Sequence, residues 1–191
     1  MRRVLAAALL ACGISSALAS EGAVQWGTSG AWTIAVDTSL GNSCFLVTTF
    51  VDGTIFRLGF NQQNTSSPMY VGIGNQDWKS LDPGKDYDLQ LQLDNLPGWN
   101  AAAEATTIGV TPFLLIPTDQ VKFVDEFMRR HTLRMYFSGR EVVRLNLKGS
   151  SQAVNEMLRC QNAVINYTQP PARDPFSGVS SGPKKKDPFS Y

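Results

Sequence analysis

Residues 86–93 read Asp-Tyr-Asp-Leu-Gln-Leu-Gln-Leu, an unbroken alternation of polar and apolar side chains. Successive side chains of a strand point to opposite faces, so Tyr87, Leu89, Leu91 and Leu93 share one face and Asp88, Gln90 and Gln92 the other. A strand with one apolar and one wet face belongs to an antiparallel sheet; the doubly covered strands of βαβ winding read as continuous apolar runs. Toward the N-terminus lie three β-branched and aromatic runs, AWTIAV (31–36), SCFLVTTFV (43–51) and TIFRLGF (54–60), bounded by Gly, Asn, Asp and Ser. Asp52-Gly53 marks a hairpin between the second and third, because Gly accepts the positive φ of a tight turn. After a polar loop (61–67), residues 69–73 predict another strand. Toward the C-terminus, the stretch 99–116 is Ala-rich first and then carries Thr106–Ile108 and Phe113–Ile116. It predicts one or two strands interrupted by Gly109 and Pro112.

Beyond that stretch the period changes. Pro117-Thr118-Asp119 is a helix start with Thr118 as cap, followed by Phe123, Val124, Phe127, Met128 and His131 at helical spacing. Residues 133–137 and 141–147 flank a Gly139-Arg140 turn and predict a second hairpin. Gly149-Ser150-Ser151 then opens a helix whose positions 153, 157, 160 and 164 share a face. The expected fold class is α+β, mainly antiparallel β, arranged as a sandwich or meander with two short helices in the C-terminal half.

The chain has 191 residues, 43% of them hydrophobic and 17% charged, with a net charge of +1, which suits one globular domain and excludes a binder of nucleic acid that works by bulk charge. Its ends depart from that composition. Arg2-Arg3, the apolar run 4–11 and Ala17-Leu18-Ala19 follow the order of a secretory signal peptide, predicting removal of residues 1–19. Leu9-Leu10-Ala11-Cys12 is also similar to a bacterial lipobox, so Cys12 is a candidate lipidation site, and membrane contact is expected only if it is lipidated. Residues 20–165 form the expected exported domain. Residues 166–191 are rich in Pro and Lys without apolar periodicity, the composition of a disordered tail. This tail repeats a short pattern, Arg173-Asp174-Pro175-Phe176-Ser177 and Lys186-Asp187-Pro188-Phe189-Ser190. Phe176 and Phe189 are therefore candidate partner contacts, against the alternative of a low-complexity tail. Charge is also uneven: residues 20–120 hold ten acidic and three basic side chains, residues 121–191 six and twelve.

Without Cys12, the exported part keeps two cysteines, Cys44 and Cys160, in an oxidising compartment, which predicts a disulfide. The chemistry of catalysis is sparse. His131 is the sole histidine, so Ser-His-Asp and His-rich zinc sites lack their parts. Asp82, Asp86 and Asp88 lack the spacing of a calcium loop and read as a solvated turn. We expect no catalytic residue, metal or cofactor. Among the four tryptophans, Trp32 should be core, whereas Trp78 lies on a connection and is a candidate binding residue, with core packing as the other reading.

Gly30-Ala31-Trp32, Cys44, the run Lys148-Gly149-Ser150-Ser151-Gln152-Ala153 and Cys160, behind a secretion signal, resemble small exported proteins of Proteobacteria, specifically the invasion-associated locus B family. The resemblance spans about residues 30–160. It implies a periplasmic or surface β-sandwich linked to host-cell invasion and envelope function, and it transfers no catalytic residue. The helix before the second hairpin and the doubled Asp-Pro-Phe tail lie outside the family's pattern. The expected function is binding of an envelope or host protein, with the tail repeats as candidate contacts, by a periplasmic, secreted or lipid-anchored protein. A periplasmic enzyme acting on glycan or peptide and a structural part of a surface or secretion assembly are the alternatives.

Overall fold

The alternation of residues 86–93 is realised as written, in the third of ten strands counted from one end of a single antiparallel sheet. The computed structural model describes residues 22–168; the expected signal peptide, Cys12, and the tail with Phe176 and Phe189 lie outside the described residues. The strands are β1 (Ala23–Ser29), β2 (Trp32–Asp37), β3 (Ser43–Thr49), β4 (Ile55–Phe60), β5 (Met69–Gly74), β6 (Asp86–Leu93), β7 (Trp99–Ile108), β8 (Thr111–Thr118), β9 (Thr132–Phe137) and β10 (Arg140–Asn146). Two helices, α1 (Val121–Arg129) and α2 (Ser150–Thr168), follow β8 and β10. The sheet order is β1-β2-β3-β4-β5-β8-β7-β6-β9-β10. A five-strand meander is thus joined to a second group that runs back through β8, β7 and β6 to the β9–β10 hairpin.

The sheet coils on itself like a sandwich, because its inward side chains from both ends enter one core. Trp32 and Ile34 of β2 share that core with Leu89, Leu91 and Leu93 of β6 and Val143 and Leu145 of β10. The Trp32 indole N–H donates to the Lys148 carbonyl just past β10, at 3.0 Å. Helix α1 fills the interior with Phe127, whose ring stacks on Phe56 at 5.0 Å and meets Trp32 edge-on. Helix α2 buries Ala153, Val154, Met157 and Cys160. The expected disulfide is present: Cys44 of β3 and Cys160 are bonded with Cα atoms 6.1 Å apart, 116 residues apart in sequence. Beside it the buried Cys44 N–H donates to the Gln161 side-chain oxygen at 2.8 Å, a second tie between β3 and α2.

Several local expectations need adjustment. The strand β1 carries no burial signal, with Val24 59% and Trp26 48% exposed on the sheet's edge, and a bulge falls between Gln25 and Gly27. The alanine-rich stretch is strand throughout β7, and Pro112 and Pro117 lie within β8. Thr118 belongs to β8 and does not cap α1. Its hydroxyl accepts from the Gln120 N–H at 3.0 Å, one turn early, and Gln120 supplies no side-chain cap. The helix ends at Arg129, so His131 is exposed beyond it, with its amide held by the Asp94 carboxylate at 3.1 Å. Helix α2 runs on to Thr168, past residue 166 where the sequence placed the start of the tail.

Candidate functional site

The two prolines of β8 explain an opening in the middle of the sheet. Ladder hydrogen bonds alternate along a strand, first to one neighbour and then to the other. On β7 the odd residues face β6, as the Ala105 N–H bond to the Lys85 carbonyl (2.8 Å) and the Gly84 N–H bond to the Ala105 carbonyl (2.7 Å) require. The even residues therefore face β8. The β7–β8 ladder begins at Ile108↔Thr111 and stops at Glu104↔Leu115, although β7 continues to Trp99 and β8 to Thr118. Pro117, opposite Ala102 in register, has no N–H to give, and β8 leaves toward α1. Pro112 sits at the other end, beyond Gly74↔Phe113, the last pair with β5. Each proline thus lies where one of the two ladders of β8 has ended. Asn100 and Ala102, whose backbone groups point toward β8, thus lie beyond the last β7–β8 pair.

The resulting slot, about 340 Å³, runs through the sheet between exposed backbone and core. Its apolar floor is Val71, Leu91, Ile116 and Phe123, and Trp99 stands at its mouth. Trp99 is fixed by its indole N–H bond to Glu126 at 3.1 Å and by the edge of its ring on Phe123. On the outer face the slot opens at Ala102 and Pro117 into a larger groove of about 930 Å³, and at Asn100 and Ala102 into a trough of about 700 Å³ beside Asp88, Gln90 and Tyr136. On this face β7 presents the small Ala102, which leaves it low and open, while Ala101 and Ala103 turn toward the core.

One wall of the larger groove is a buried polar cluster. Arg57 of β4 donates through Nη2 to Asp37 at the end of β2 and through Nε to the Tyr70 hydroxyl of β5. Its guanidinium lies 3.6 Å from the Phe45 ring centroid. Gly59 makes room for this stack: a Cβ there would stand 2.5 Å from the Phe45 Cβ and 3.0 Å from the Tyr70 hydroxyl. Burial pushes the Asp37 carboxyl up, but the Ser39 hydroxyl and the Arg57 guanidinium together hold it below the ordinary carboxylate range. Burial pushes the Tyr70 phenol up to about 12, the nearby Arg57 only partly opposing it. With its charge matched by Asp37, Arg57 braces the wall.

The opposite wall is acidic. Asp86 of β6 and Glu104 of β7 stand directly opposite each other in register, and both line the groove. Like charges facing across a ladder destabilise it. Asp88 continues the strip into the trough, and Asp119 lies at the slot. A stretch of β7 beyond its ladder with β8, an apolar hole and an acidic wall suit an extended chain that carries an apolar side chain and a positive charge.

The residues singled out from sequence fall elsewhere. Cys44 and Cys160 are together in the core. Trp78 is half-buried against the core, on a connection pinned by Asn75, whose side-chain oxygen accepts from the Asp77 N–H at 2.9 Å and whose amide donates to the Asp52 carbonyl at 3.1 Å. Sequence reasoning counted Trp99 among four candidate tryptophans but missed Asp37, Arg57, Tyr70, Asn100 and Ala102. Two signals were available: a lone arginine inside the apolar run 54–60, and an alanine triplet facing a strand with two prolines.

No family model matches the chain, and no curated protein matches it. Among solved structures it is similar to the crystal structure of invasion associated protein B from Bartonella henselae, with 15% sequence identity and a TM-score of 0.51 over 73% of this chain and 99% of that one. The resemblance carried by Trp32, Cys44 and Cys160 therefore holds at the level of the fold, and the chain is an α+β protein built on the same β-sheet architecture as that invasion-associated protein.

Proposed function

We propose that this chain is an exported protein of a bacterial envelope that acts by binding, in an accessory or host-interaction role and without catalysis, and that it takes an extended segment of a protein partner as an added strand beside β7. The observation that carries the reading is the end of the β7–β8 ladder at Glu104↔Leu115, which leaves Asn100 and Ala102 beyond the last pair, beside an apolar slot. Strand addition supplies main-chain hydrogen bonds, and pockets for alternate side chains supply selectivity. Export is supported by the signal-like N-terminus and by the Cys44–Cys160 disulfide, a bond that persists in oxidising compartments. The fold shared with an invasion-associated protein supports a role at the cell surface. The partner is an envelope or host protein. Nucleic acid is disfavoured, because the groove wall carries Asp86 and Glu104 and would repel phosphates.

The test is selection of linear peptides from a random display library on the full exported chain, followed by mapping of the selected peptides through backbone amide shifts. We expect selected peptides to combine an aromatic or aliphatic residue with lysine or arginine, and to shift Asn100, Ala102 and Trp99 most. Selected peptides that map to another surface would overturn the reading, as would a library that yields none.

A further inference from the structure

We propose that the second tail repeat, Lys186-Asp187-Pro188-Phe189, is the resident occupant of the slot, lying beside β7 with Phe189 in the apolar hole and Lys184–Lys186 against the acidic wall. This rests on the slot's being a strand-binding site. Four observations converge on it.

The first is shape and chemistry. A slot of about 340 Å³ floored by Val71, Leu91, Ile116 and Phe123, with Trp99 at its mouth, accepts one aromatic side chain, and aromatic pairs meeting edge to face add to the burial. The second is spacing. In an extended chain Lys186 stands three residues from Phe189, roughly 10 Å away. From the slot at Ala102, Glu104 is two residues along β7, roughly 7 Å, with Asp86 directly across from it. A phenylalanine in the hole therefore brings the lysines to the carboxylates. The third is backbone. With Asp187 and Phe189 facing β7, their N–H and C=O groups reach those of Ala102 and Asn100, and Pro188 between them directs its missing N–H away from that ladder. Proline also holds the residue before it extended.

The fourth is reach. Phe189 lies 21 residues beyond Thr168, the end of α2. Such a segment extends up to roughly 70 Å, against a domain roughly 40 Å across. Tethering raises its local concentration into the millimolar range, so a short motif of weak intrinsic affinity suffices. The first repeat has the same Asp-Pro-Phe but a single positive residue, Arg173, where the second has three lysines. That difference selects the second repeat. The charge division of the sequence, acidic before residue 120 and basic after it, thereby acquires a place in the fold.

The test is amide hydrogen exchange, read residue by residue on the full exported chain. In the wild-type chain Asn100 and Ala102 should be protected. Phe189→Ala should speed their exchange at least about tenfold, as a docked segment held by a tether opens, and Phe176→Ala should leave it unchanged. Glu104→Lys should also speed it, although it relieves the Asp86 repulsion and so does not weaken the sheet. Equal exchange in the wild type and Phe189→Ala overturns the proposal. Protection that disappears on dilution overturns it too, by assigning the occupant to a neighbouring copy. Should Phe189→Ala change nothing while a selected peptide still protects Asn100 and Ala102, only the tail is excluded. Should the peptide also fail, the strand-binding reading falls with it.

Discussion

Arg57 is satisfied by three groups from three strands: the Asp37 carboxylate, the Tyr70 hydroxyl and the Phe45 ring. Removing one partner from a buried ion pair leaves an uncompensated charge and costs about 3–5 kcal/mol. Asp37→Ala should lower the unfolding free energy by that amount in denaturant titration. The wild-type pH dependence follows from the two shifted groups. The folded Asp37 carboxyl is held below its unfolded value, so its contribution is complete above about pH 4 and is lost as pH falls through the lowered folded value. The folded Tyr70 phenol is raised to about 12. Its contribution is therefore complete below about pH 10, the unfolded value, and is lost as pH rises toward 12. Tyr70→Phe should remove that alkaline loss of stability, measured as unfolding free energy against pH. Gly59→Ala should cost about 1–3 kcal/mol in denaturant titration, because the added Cβ would crowd the Phe45 Cβ and the Tyr70 hydroxyl. Beyond the lone arginine in the run 54–60, this cluster was not legible beforehand, since its members are spread over 37–70 and only the fold's register brings them together.

At the scale of elements, legibility followed the strength of the period. The strict alternation of 86–93 marked β6 to the residue, and the apolar runs of 31–60 marked β2, β3 and β4, with Gly53 taking a φ of +80° in the expected turn. The strand β1 was silent because an edge strand with exposed Val24 and Trp26 needs no apolar alternation. The extent of β7 was hidden by its alanines, poor strand formers held here by β6 on one side and the core beneath. The helix α1 was found by its stripe, but its start was misplaced because Thr118 completes β8 first. Pro117 is the residue that keeps β7 and β8 apart. Pro117→Ala restores an N–H facing Ala102 and should let the ladder close by one pair. We expect weaker binding of selected peptides with a stability change within about 1 kcal/mol, measured by titration calorimetry and thermal melting.

At the scale of the molecule, Cys44–Cys160 ties the last helix to the early sheet and closes a loop that spans most of the described chain. In the chain-entropy model a loop of this length contributes about 5 kcal/mol. Reduction should therefore lower the melting temperature by roughly 10–20 °C. The pairing was legible because two cysteines remain once Cys12 is set aside, whereas the slot was not, because it arises from where two ladders stop. Strand addition at that slot is the central claim, and amide exchange along β7 in the Phe189→Ala chain tests it most directly. Without peptide, Ala101 and Ala103, bonded to β6, should be protected while Asn100 and Ala102 exchange like open amides; with a selected peptide bound, all four should be protected. Asn100 and Ala102 already protected in that chain, or still open with the peptide bound, would contradict it.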